Sequence, residues 1–138
     1  MSEIYNDKMS NEWFFPANRY ILSETDEKGI ILYANDIFCE MAGYKIEELI
    51  GEPHNIVRHP DMPRIAFKGL WDDLRNKGFW TGIVKNRRKD GGYYWVHATA
   101  LRRTKSNGET TYLSIRRVPD RNDVEACIKL YAELKSAE

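Results

Sequence analysis

The C-terminal half of this chain sets long β-favouring runs between two glycine turns, and that order restricts the fold more than any other feature. Trp80–Arg88, Tyr93–Thr104 and Thr110–Val118 are each long enough for a full strand. Lys89-Asp90-Gly91-Gly92 and Ser106-Asn107-Gly108 separate them. Asp-Gly and Asn-Gly supply the positive φ that tight hairpins need, so the three runs read as an antiparallel meander.

The first half holds shorter pieces. Tyr20–Thr25 and Ile30–Ala34 flank Asp26-Glu27-Lys28-Gly29 and read as a hairpin. Asn35 or Asp36 can cap a short helix through Met41, which Gly43 ends. Lys45–Leu49 predicts one more helical turn, closed by Gly51. Arg64–Asn76 carries Ile65, Phe67, Leu70, Trp71 and Leu74 near helical spacing, and Lys77-Gly78 stops it. A last amphipathic helix runs from Arg121 to Lys135, with Val124, Ile128, Leu130, Tyr131 and Leu134 along it. The sum is an α+β domain: a five-stranded antiparallel sheet, short helices on one face, and appended ends. The division is an N-terminal cap over 1–19, a core domain over 20–118, and a C-terminal helix or linker over 119–138. The cap is read as partly helical, with Trp13-Phe14-Phe15 needing burial.

At 138 residues one domain with one substantial core is expected. The 21 basic and 21 acidic residues cancel, which gives no bulk drive toward nucleic acid or anionic membrane. No apolar run is long enough to span a bilayer and no signal-peptide pattern opens the chain. Cys39 and Cys127 lie far apart and form no CxxC, which suits a reducing compartment and argues against a disulfide scaffold or zinc site. A cytoplasmic location follows as an expectation, with any membrane association supplied by a receptor partner.

Asn55-Ile56-Val57-Arg58-His59-Pro60-Asp61-Met62-Pro63 packs a cation, an imidazole, a carboxylate and two prolines into one connector. Prolines stiffen it, and the next helix starts directly after it. It reads either as an ion-paired surface loop or as a cradle for an anionic or heterocyclic ligand. Strand alternation sorts the sheet residues. If Asn86 faces the helices, so do Trp80, Gly82 and Val84, with Gly82 letting a ring approach the backbone. Tyr94, Val96, Ala98 and Ala100 face the same way on the next strand, and Tyr112, Ser114 and Arg116 on the last. The small residues leave room for a ligand or for close helix packing. Trp95, His97, Leu101, Leu113 and Ile115 face outward. That apolar face needs a cover: Trp13-Phe14-Phe15, the C-terminal helix, or a partner chain. His54 is placed at the mouth of the loop. Neither it nor His97 has metal-ligand spacing.

The order of elements, with Gly43-Tyr44, Glu47-Glu48-Leu49-Ile50-Gly51 and Lys89-Asp90-Gly91-Gly92 in these places, resembles a PAS domain over Tyr20–Arg117. Glu52–Pro63 and Trp80–Lys89 are similar to the PAS sensors of aerotaxis receptors. That resemblance implies non-covalent FAD, redox or energy sensing, and a partner in a chemotaxis signalling module of the HAMP-receptor type, in the same chain or in a separate membrane receptor. A homodimer through the outer sheet face and N-terminal cap is a further expectation. The resemblance gives functional weight to Asn35, Arg58, His59, Asp61, Phe67, Trp71 and Asn86. In physical terms Arg58 can pair with phosphate or flavin oxygens. His59 can donate or accept at the ring. Asp61 can pair with Arg58 or cap the following helix. Trp71 can stack on a flat ring, Phe67 can wall the pocket, and Asn35 can cap the first helix. Gly82, Ala98, Ser114 and Arg116 join the set from their strand faces.

Light-sensing flavin PAS domains are similar in holding an amide at the position of Asn86. Their second amide falls at Val96, and the connector here lacks their reactive cysteine, so no thiol adduct is expected. A haem or other small-ligand sensor is the alternative, although Arg64–Asn76 carries no histidine for an axial ligand. A ligand-free dimerisation module is another. No nucleophile–base pair, phosphate loop or metal cluster points to an enzyme.

Overall fold

A computed structural model describes residues 3–138. The meander forms as its turns require: β5 (Phe79–Arg87), β6 (Tyr93–Thr104) and β7 (Thr110–Arg117) pair antiparallel in sequence. The first hairpin, β3 (Ile21–Asp26) and β4 (Ile31–Ala34), joins the far side, β3 pairing antiparallel with β7. Those five strands therefore run β5-β6-β7-β3-β4 across the sheet.

The N-terminal segment departs from the expected part-helical cap, residues 1 and 2 of which lie outside the described residues. It forms a hairpin, β1 (Tyr5–Asp7) and β2 (Glu12–Phe14), and Glu12 meets Tyr93 in parallel register, extending the sheet to seven strands. Alternation along β2 then divides the aromatic triad. Trp13 and Phe15 enter the main core cluster, while Phe14 stacks on Tyr5 at 5.1 Å. Gly92 makes this possible, because a Cβ there would lie 2.7 Å from the Trp13 indole nitrogen. On its other side Trp13 faces the Arg88 guanidinium, 3.6 Å from the ring centroid. Arg88 in turn donates to the Glu40 and Met41 carbonyls at the end of α1 (Asp36–Ala42), groups that a helix C-terminus leaves without partners. The triad thus does not cover the outer sheet face.

α4 (Arg121–Ser136) covers the part of that face around Ile83 and Trp95. Val124, fully buried, packs with Cys127 and Tyr131 against Ile83 and Trp95. Tyr131 stacks on Trp95 and donates its hydroxyl to the Ile83 carbonyl at 2.6 Å. At its other end α4 is tied to the hairpin by Arg121–Glu12 (2.8 Å). The inner face carries α1, α2 (Ile46–Leu49), a 3-10 turn over His54–Val57, and α3 (Arg64–Asn76). Asn35 caps α1 and Gly43 closes it in the left-handed conformation. No helix among the described residues is long and apolar enough to cross a membrane.

Candidate functional site

A cavity of about 590 Å³ opens between the inner sheet face and α3. It falls within the size range of small-molecule sites. Its floor is the alternating set expected from the strands: Val84 and Asn86 from β5, Val96, Ala98 and Ala100 from β6, and Tyr112, Ser114 and Arg116 from β7. α3 supplies Phe67, Leu70, Trp71 and Leu74, one wall of a helical stripe. Trp71 meets Tyr112 edge to face at 5.3 Å. The proline-framed loop supplies Arg58, whose guanidinium lies 4.0 Å over the Phe67 ring. Arg58 also docks the loop on the sheet edge through a backbone bridge to Asn86.

The deep end is defined by a buried cation. Arg116 is 2% exposed, with one guanidinium nitrogen 2.7 Å from Ser23 Oγ and another 2.9 Å from His54 Nε2. It lies 4.6 Å over Phe38, and its Nε has no partner. No carboxylate pairs with it among the described residues. Burial lowers its pKa to about 10. His54, facing Arg116, must stay neutral and accept; burial first, then Arg116, lowers it to about 3. Tyr94 beside them is fully buried with an unpartnered hydroxyl, and burial raises it to about 12. His54 is therefore part of the floor and not at the mouth of the loop. The clue in the sequence is Ser23: it alternates with Ile21 and Thr25 on the buried face of β3, and a buried hydroxyl calls for a polar neighbour.

Four of the expected site residues stand apart from the cavity. Asn35 is consumed by structure: Oδ1 accepts from Leu22 and Phe38 backbone N–H groups, and Nδ2 donates to the Tyr20 carbonyl at 2.8 Å. His59 turns to a smaller concavity with Arg87 and Lys135. Its Nδ1 accepts from the Asp61 N–H at 3.0 Å, and burial, then Lys85, lowers its pKa. Asp61 neither pairs with Arg58 nor caps α3; it pairs with Lys85 at 2.9 Å, and that hydrogen bond lowers its pKa. Gly82 opens space for a protein ring and not for a ligand, because a Cβ there would meet Trp80 ring carbons at 2.6 and 2.7 Å. Gly82→Ala is therefore expected to displace the Trp80 indole from between α3 and the sheet, costing about 1–3 kcal/mol in a chemical or thermal melt. Arg58, Phe67, Trp71, Asn86, Ala98, Ser114 and Arg116 do converge on the cavity.

The charge around this space is one-sided. Arg58 and Arg116 point to it from loop and sheet; Lys28, Arg64, Lys68 and Arg75 stand at its rim, against one acid, Glu27. Asp72 pairs with Lys68. No cluster of three or more His, Cys, Asp or Glu that could hold a metal occurs among the described residues. The arrangement suits a flat apolar body with an electron-rich edge or an anionic extension.

Residues 31–116 match a family model described as the PAS fold. The chain is 43% identical over 116 residues to the aerotaxis receptor of Escherichia coli, a match covering 84% of this chain and 23% of that one. It is 31% identical over 97 residues to the nitrogen fixation regulatory protein of Klebsiella oxytoca, covering 70% and 20%. The chain thus spans about a fifth to a quarter of the length of these relatives. Among solved structures, a PAS domain from Colwellia psychrerythraea superposes with a TM-score of 0.66 at 25% identity, covering 74% of this chain and 87% of that one. A light-oxygen-voltage domain studied with a flavin analogue superposes at 0.70 with 20% identity, covering 83% and 88%.

Proposed function

Since this chain belongs to the PAS family, we propose that its cavity holds the isoalloxazine ring of FAD non-covalently and that the domain reports redox or energy status to a chemotaxis signalling module. The single observation that carries the reading is Arg116, a buried cation that lines the cavity of about 590 Å³ and has no carboxylate partner among the described residues. A buried guanidinium is costly unless an anion or strong acceptor meets it. Asn86, 4% exposed on the same floor, can offer either the donor or the acceptor end of its amide. Trp71 and Phe67 offer ring faces, and the basic rim offers partners for a pyrophosphate.

A bound flavin supplies reversible uptake of electrons and protons. The residues here hold its surroundings in a fixed electrostatic state. His54 stays neutral, Tyr94 stays protonated, and Arg116 stays cationic, so charge gained inside the cavity meets the fixed positive charges of Arg116 and Arg58. The likeness to the aerotaxis receptor supports a flavin and an energy-taxis partner, which the chain would meet either in one polypeptide or as a separate receptor.

The purified protein is expected to be yellow and to release one equivalent of flavin on denaturation, with the chromatographic mobility of FAD. A Soret band, or colourless protein that takes up no flavin on reconstitution, would refute the assignment.

A further inference from the structure

The helix that walls the cavity is completed at its N-terminus by the helix on the opposite side of the sheet. α3 begins after Pro63, which has no side-chain oxygen to cap it. Asp61, the nearest acid before it, is held by Lys85. The first N–H groups of a helix need acceptors from elsewhere in such a case. Glu138 provides one: Oε2 accepts from the Arg64 backbone N–H at 2.6 Å, and Oε1 accepts from Arg64 Nε at 3.2 Å. Lys135, one turn earlier, steadies the same carboxylate at 3.5 Å. A carboxylate at this end also complements the helix dipole.

We infer that Glu138 is a positioning residue for α3, so that docking of the end of α4 and closure of the cavity are one linked equilibrium. The other ties of α4 leave the cavity untouched. Val124 and Tyr131 pack on Ile83 and Trp95, and Arg121 pairs with Glu12. Glu138 alone among these ties reaches the helix that carries Phe67 and Trp71. A ligand that holds α3 in place raises the occupancy of the Glu138 cap. By thermodynamic reciprocity, loss of the cap weakens the ligand by the same factor. The ligand half of this linkage rests on the flavin reading; the capping half does not.

Hydrogen exchange and flavin titration on the 138-residue chain test it, using wild type, Glu138→Ala and, as a control, Glu133→Ala. Glu133 is exposed on α4, and its side chain makes no ion pair. Glu138→Ala is expected to speed exchange at Arg64 and the first turn of α3 about fivefold, as for loss of a helix cap, and to raise the flavin dissociation constant by up to that factor. Removing flavin from wild type should speed exchange in the last turn of α4 by that factor, and in Glu138→Ala it should not. Exchange in α3 that ignores Glu138→Ala overturns the inference, as does an equal response to Glu133→Ala or an unchanged flavin affinity. A chain that never takes up flavin overturns the cofactor assignment instead, and the α3 exchange of the flavin-free proteins still decides whether Glu138 positions the helix.

Discussion

Replacing Arg116 with methionine is expected to leave the flavin-free protein at least as stable as wild type while weakening flavin binding about a hundredfold. The two effects have opposite signs for one reason. In the empty fold Arg116 is a desolvated cation facing neutral groups only, and its burial lowers its pKa to about 10. Methionine removes that cost and fills much of the same volume, and exchanges of this kind are often neutral or stabilising. His54 and Ser23 keep one another as partners at 3.2 Å. With flavin bound, the guanidinium is the one buried counter-charge, and a hydrogen bond to a charged group contributes about 1.5–3 kcal/mol. Melting curves with and without flavin, joined to a binding titration, measure both halves. Equal destabilisation of the loaded and flavin-free proteins would mean that Arg116 is a structural cation with no part in binding.

Acid should destabilise the protein earlier than its carboxylates require. His54 is neutral in the fold, with a pKa lowered from 6.5 to about 3. The unfolded chain takes up a proton on this residue once the pH falls below 6.5, and the folded chain does not until about 3. Stability is therefore unaffected above 6.5 and declines steadily between those values, by about 3 kcal/mol in total. That is less than the full shift converts to, because the ring borders the cavity and water there eases its desolvation. A cavity filled by a ring that excludes water would carry the decline to lower pH without steepening it, because one proton sets the slope. Asp61 and Glu138, whose pKa values are lowered by Lys85 and by the Arg64 backbone N–H, lose their contribution only at lower pH, as each becomes protonated in the fold. His54→Gln should flatten the dependence between pH 6.5 and 4, as read from urea midpoints across that range. Identical slopes in the two proteins would refute a neutral His54 in the fold.

The cavity floor was legible because it depends on period. Once Asn86 is set inward, Val84, Val96, Ala98, Ala100, Tyr112, Ser114 and Arg116 follow from the pleat and line the cavity, whereas Trp80, Gly82 and Tyr94 of the same set do not, and Leu113, set outward, does. Trp71 and Phe67 follow from the helical stripe in the same way. The connector was not legible, since a loop has no period. The residues of Asn55–Pro63 fit both an ion-paired surface loop and a cradle, and the structure divides them: only Arg58 of the three charged or ionisable candidates enters the cavity, while His59 and Asp61 turn to each other and to Lys85. Gly82 misled for another reason. A glycine in a strand marks a close approach without saying what approaches, and here it is Trp80 two residues earlier. The N-terminal hairpin escaped notice because strands of three residues with polar members carry almost no alternation signal.

The pairing of β3 with β7 carries a consequence for the order of assembly. Ile21 lies opposite Arg116, so β3, which pairs early with β4, finds its second partner β7 only when nearly the whole domain has been made. Loop closure on that scale is slow and is repaid late, after the local hairpins have formed. Ser23 and Arg116, the two sides of the deep end of the cavity, meet only at that step. Nascent chains that still lack β7 therefore have no complete cavity floor, and a ligand of this cavity would be captured only after translation of the domain.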